Sequence, residues 1–203
     1  MRDEGMAPVV NGVRSKKRVK DLAEVFTQTR EVDAMLKMVV EDGLRKAGDS
    51  WGQIVHSTFL EPSCGNGNFL WAILEIKARA IEEEDEETPH GVDLGIRLLQ
   101  ALASISAIDI SPGNVDEAHV RILRHSIGWY RYLTGLEPSQ TWATVAYGII
   151  RHKIVVGNFL TREATLHDIN VTDEGLVKIK PVPLSSLFKP DPIKKPSAKK
   201  GRE

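Results

Sequence analysis

The chain has 203 residues, 41% of them hydrophobic and 27% charged, with a formal net charge of −1. That length suits one domain with a real core and short arms, and those proportions exclude a collagen-like or wholly disordered chain. A balanced charge does not advertise nucleic acid for the molecule as a whole, and a single cysteine, Cys64, excludes an internal disulfide and suits a reducing, cytoplasmic compartment.

Residues 1–18 read as a flexible basic arm, given Gly5, Pro8, Gly12, Arg14, Lys16, Lys17 and Arg18. They lack the apolar segment of a signal peptide. The spacing predicts a helix over 29–46, with Val32, Met35, Leu36, Val39, Val40 and Leu44 on one stripe. An apolar run over 54–61 predicts the first strand. Phe69, Ile73, Leu74 and Ile76 then predict a helix over 68–82, interrupted by the acidic run Glu82–Glu87 and by Pro89-His90-Gly91. A short helix over 92–102 and a second strand over 104–110 follow. Ser111-Pro112 opens another helix as N-cap and first helical residue, and Gly135 ends it. A helix over 141–150, a third strand over 153–156 and a short strand over 176–179 complete a domain spanning 19–188. From Lys189 onward Pro, Lys and Ser dominate, which predicts a disordered basic tail. No run approaches membrane-spanning length. Alternating strands and helices predict an α/β fold, with a Rossmann-like, mostly parallel sheet flanked by helices.

The chemistry concentrates in Glu61-Pro62-Ser63-Cys64-Gly65-Asn66-Gly67-Asn68-Phe69-Leu70. A strand ends in a carboxylate, a glycine-rich turn follows, and a helix begins. Such glycines admit positive φ and close approach of a ligand to the backbone. The helix aims unpaired N–H groups and its positive dipole end into the same space. That is the arrangement of a nucleotide-like site at the carboxyl end of a strand. Glu61 would repel a pyrophosphate and attract a cationic amino-acid moiety or hydroxyls, which favours S-adenosylmethionine over a dinucleotide. Glu61, Asp109 and Asn158 all fall at predicted strand ends, on one rim.

This segment resembles the cofactor-binding motif of class I S-adenosylmethionine-dependent methyltransferases, in the form found in adenine-specific DNA methylases of restriction–modification systems. Three further segments resemble that family in the expected order. Ala23-Glu24-Val25-Phe26-Thr27-Gln28 is similar to the segment that closes over the cofactor's methionine, which implies contacts from Phe26 and Thr27. Ala107-Ile108-Asp109-Ile110 is similar to the second-strand segment, which implies that Asp109 takes the ribose hydroxyls with Ile110 beside it. Val155-Val156-Gly157-Asn158-Phe159-Leu160 is similar to the third-strand segment, which implies that Asn158 meets the adenine amine. In the motif itself the resemblance implies contacts from Glu61, Pro62, Cys64, Gly65, Gly67 and Asn68. It covers roughly Lys20 to Leu160, and a phage genome is a natural home for a truncated methylase of this kind.

The chain departs from the family where catalysis is expected. The tetrapeptide [N/D/S]-P-P-[Y/F/W], whose amide or carboxylate and backbone carbonyl hold the target amine and whose ring stacks on the flipped base, does not occur after Asn158. Lys180-Pro181-Val182-Pro183 and Pro190-Asp191-Pro192-Ile193 are the nearest sequences. The expectation is therefore a methylase-like protein that is truncated or depends on a partner, such as a second methylase or restriction subunit, with the basic arms meeting DNA phosphates. The alternative is a non-catalytic module: a cofactor sensor, a methylase inhibitor or a DNA-binding accessory. A methyltransferase for RNA or a small molecule is a third reading.

Other residues have plainer readings. Asp109 can serve as a helix-start carboxylate, Gly157-Asn158 as a turn, and Phe26 as part of a hydrophobic staple. Cys64 reads as a small packing residue. Trp129, Tyr130 and Tyr132 read as core and rim. The six histidines share no metal-ligand spacing, so no metal is expected.

Overall fold

The computed structural model describes residues 51–87 and 93–188, together with residues 31 and 34, both helical. The rest of the helix expected over 29–46, the arm 1–18 and the tail 189–203 lie outside the described residues. The elements are α1 (Trp51–His56), β1 (Phe59–Glu61), α2 (Asn68–Glu87), α3 (Leu94–Ala103), β2 (Ile105–Asp109), α4 (Pro112–Thr134), α5 (Gln140–Lys153), β3 (Ile154–Val156), β4 (Thr165–Val171) and β5 (Val177–Pro183). A 3-10 turn, Leu184–Leu187, follows.

The protein is α/β. β1, β2 and β3 form a parallel three-stranded sheet in that order, with Glu61 opposite Ala107 and Asp109 opposite Val156. β4 and β5 form a separate antiparallel hairpin. Among the described residues β1 pairs on one side only, with β2, which is the central strand of the three.

The main core lies between the sheet and helices α2 to α5. Leu70, Leu74 and Ala78 of α2 pack with Leu98 and Leu102 of α3, Ala118 and Ile122 of α4, Ile149 and Ile150 of α5, and Ile105 and Ala107 of β2. Ile108 points the other way, into a smaller cluster with Leu166 and Leu184. The hairpin buries both faces in part: Leu166 joins that small cluster, while Ile169 and Val171 join the main core. Alternation along a strand makes this inevitable, since 166 and 169 differ by an odd number.

Three expectations change. The first strand does not run over 54–61. Residues 51–56 form α1, and only Phe59–Glu61 are extended. The cause is Lys77 on α2, a fully buried lysine whose Nζ donates to the carbonyls of Ile54 (2.7 Å), Val55 (2.9 Å) and Ser57 (2.7 Å). It satisfies the carbonyls that a helix end leaves unpaired. The acidic run does not interrupt α2, which continues to Glu87. Glu82 accepts from the Tyr132 hydroxyl at 2.6 Å, and Glu84 pairs with Arg97, so part of the charge finds partners. Third, Thr165–Val171 is an additional strand, and its partner runs over Val177–Pro183 rather than 176–179. Pro112 does open α4 behind Ser111, whose side chain makes no capping bond, and Gly135 closes it at φ 69°.

Candidate functional site

The glycine turn links β1 to α2 at the carboxyl end of the sheet, and parallel pairing puts the ends of β2 and β3 at the same rim. Gly65 (φ 53°) and Gly67 (φ 89°) both lie in the left-handed region that favours glycine. Gly67 has a second reason to be glycine. A Cβ there would lie 3.2 Å from Ala118 Cβ, so the turn can rest directly on α4. The Cys64 amide donates to the Ile108 carbonyl (3.0 Å) and the Gly67 amide to the Cys64 carbonyl (2.9 Å).

Asp109 organises the turn. Its Oδ2 accepts from the Gly65 amide at 2.9 Å. Its Oδ1 accepts from the Ser111 amide at 2.8 Å and from Asn114 Nδ2 at 3.1 Å. The residue is 6% exposed. A carboxylate has about four acceptor positions, and three are occupied by the protein's own donors. Both ribose hydroxyls can be accommodated only if one of these donors gives way.

Glu61 is the more available carboxylate. It is half-buried, and among the described residues Oε1 accepts from the Ser63 amide alone, at 3.0 Å. Burial raises its pKa, the Ser63 N–H opposes the rise, and the charge of Asp109 adds to it. A carboxyl group so placed gains from a cationic or hydroxyl-bearing partner. Beside the two carboxylates, Ile110 is 61% exposed. Pro62 is also exposed at the start of the turn.

Cys64 is buried inside the turn. Burial, followed by the nearby charges of Asp109 and Glu61, pushes its thiol up to about 12. It is a packing residue and not a nucleophile at neutral pH.

Asn68 opens α2, and Arg121 of α4 reaches it. The Arg121 guanidinium also donates to Asn66 Oδ1 at 3.2 Å. Burial lowers the Arg121 pKa, against the pull of Glu117. Arg121 and Asn114 were missed in the sequence. Asn114 had a signal, as a polar residue in the first turn after Ser-Pro. Arg121 had none, because it meets the turn from 55 residues away.

At the third strand end, Gly157 donates to the Asp109 carbonyl at 2.9 Å. A Cβ at Gly157 would lie 2.6 Å from Ala164 Cβ, so the chain must fold back tightly here. Asn158 pairs with Glu163 across the turn. Its Oδ1 accepts from the Leu160 amide (3.0 Å) and the Thr161 amide (3.3 Å). In this conformation both lone pairs of that oxygen serve the turn, leaving Nδ2, a donor, which does not complement an exocyclic amine. Leu160 projects from the tip, 91% exposed.

The structure thus brings Glu61, Pro62, Cys64, Gly65, Gly67, Asn68, Asp109, Ile110 and Asn158 to one rim. Phe26 and Thr27 lie outside the described residues. Lys180-Pro181-Val182-Pro183 is part of β5, paired with Thr165–Asp168, and 190–193 lies outside the described residues. Trp129 is buried, Tyr130 packs on Trp142 with ring centres 4.6 Å apart, and Tyr132 is exposed beside α2 with its ring edge-on to Trp129 at 5.2 Å, which are core and rim positions.

No protein-family model matches the chain, and neither does any curated protein or solved structure. Among the described residues no three His, Cys, Asp or Glu side chains are grouped to hold a metal ion, and no helix is long and apolar enough to cross a membrane.

Proposed function

We propose that this chain is an S-adenosylmethionine-binding protein of the class I, adenine-specific DNA methylase type, with a Rossmann-like fold, whose methyl transfer depends on a catalytic segment outside these 203 residues. The observation that supports the reading best is the pairing of two carboxylates with a positive-φ glycine turn. Glu61 and Asp109 flank the turn on the rim where α2 begins. Glu61 would hold the cationic amino-acid end, Asp109 the ribose through its remaining acceptor position, and the exposed Ile110 would cover one face of the adenine. The cofactor's sulfonium supplies an activated methyl group, so the chain's residues need only orient and desolvate it.

A non-catalytic binding module is the second reading. It is favoured by two facts: the sequence lacks the catalytic tetrapeptide, and three protein donors already engage Asp109. Calorimetric titration with S-adenosylmethionine, followed by an assay of tritiated methyl transfer to mixed-sequence DNA, tests whether the chain binds the cofactor and whether it transfers the methyl group alone. Binding with transfer would contradict the dependence on an outside segment, binding without transfer supports the partner-dependent methylase and the cofactor-binding module alike, and absence of binding removes both cofactor-dependent readings.

A further inference from the structure

His152 closes the last turn of α5, and His167 lies on β4. Their rings are 4.7 Å apart between centres and nearly perpendicular, at 87°. Each Nδ1 is held by a backbone carbonyl: His152 by Gly148 O at 2.8 Å, and His167 by His152 O at 3.1 Å. A carbonyl only accepts, so both Nδ1 atoms carry protons, and in the neutral rings both Nε2 atoms present lone pairs. Neither Nε2 has a hydrogen-bond partner among the described residues. A metal-binding histidine is ordinarily oriented in this way, with its second nitrogen donating to a carbonyl.

The spacing fits one shared ion. With a metal–nitrogen bond of about 2.0–2.1 Å, an ion sits roughly 3 Å from each ring centre, and rings 4.7 Å apart then subtend roughly 100°. That lies between the angles of square-planar and tetrahedral coordination. The C-terminal end of α5 adds a partial negative charge. Two charged groups neighbour the pair: Lys153 donates to His167 O at 3.2 Å and opposes a cation, and Arg151 is turned over the Tyr147 ring.

We propose that His152 and His167 together bind one divalent transition-metal ion of the zinc or copper class, with water completing its coordination. Imidazole nitrogens select such ions over magnesium or calcium. The ion would clamp the β4–β5 hairpin to α5, at the start of β3 and away from the glycine turn. The inference is independent of the proposed function.

The test is titration of the tag-free full chain with zinc chloride by calorimetry, alongside His152→Gln and His167→Gln, with imidazole ¹⁵N resonances followed in the unsubstituted protein. We expect saturable binding of one ion, both Nε2 resonances shifting together, a melting temperature raised by zinc, and at least tenfold weaker binding in each variant. The NMR result stands even if a variant fails to fold. The proposal is overturned if zinc does not bind saturably, if only one of the two imidazoles responds, or if both folded variants bind as tightly as the parent.

Discussion

Replacing Asp109 tests how the site is built. Asp109→Ala removes a nearly buried carboxylate and leaves two backbone N–H groups and one side-chain amide without their acceptor. Hydrogen bonds to a charged group contribute about 1.5–3 kcal/mol each. The three share one partner and are not additive, and water can reach part of the turn, so the loss of folding stability should be about 3 kcal/mol. For a chain of this size that lowers the melting temperature by roughly 6–12 °C. Asp109→Asn keeps the volume and one acceptor oxygen but turns an N–H group toward a donor. Its loss should be intermediate, about 2 kcal/mol. Urea denaturation of the three proteins measures this directly. If Asp109 served only a ligand, neither substitution would destabilise the free protein. A loss below about 1 kcal/mol in Asp109→Ala would refute its role as the pin of the turn. On the proposed function the folded variant should also bind S-adenosylmethionine more weakly, by about 1–2 kcal/mol.

Gly67→Ala combines a positive φ with a Cβ pressed against Ala118, and we expect it to destabilise by about 2 kcal/mol in the same denaturation assay. Adding Ala118→Gly should restore only the contact part, and complete recovery would contradict the backbone argument. Burial lowers the Lys77 pKa to about 7, against an unfolded value near 10.4. Below pH 7 both states hold the proton. Between these values the unfolded chain binds more, so this group makes stability rise with pH. Lys77→Met should remove that part of the slope, and denaturation midpoints at pH 7, 8 and 9 that rise equally in both proteins would contradict it. With its thiol raised to about 12, Cys64 should resist iodoacetamide at pH 8 in the folded protein and react once urea is added. Rapid labelling of the native protein would show that the turn opens.

Much of the candidate site was legible because its residues are close in sequence. The carboxylate, the two glycines and the helix start fall within Glu61–Asn68, and local φ requirements and helix periodicity speak for themselves there. α3, α4 and α5 were found to within a few residues for the same reason. The errors had long-range causes. Ile54 and Val55 are apolar enough for a strand, yet α1 is capped by a lysine more than 20 residues away. β4 escaped notice because its apolar residues, Leu166, Ile169 and Val171, break the two-residue period by serving two different clusters.

The sequence by itself determined the order of elements from β1 to β3, a flexible-geometry turn between the first strand and its helix, and two acidic residues at strand ends. Tertiary structure alone decided what those acids do. Pairing β1 with β2 brings Asp109 under a turn 44 residues away, where it accepts the Gly65 amide, while Glu61 keeps an oxygen unengaged by any described residue. Charge and spacing state that a carboxylate is present. Only the assembled sheet fixes which donors have already claimed it.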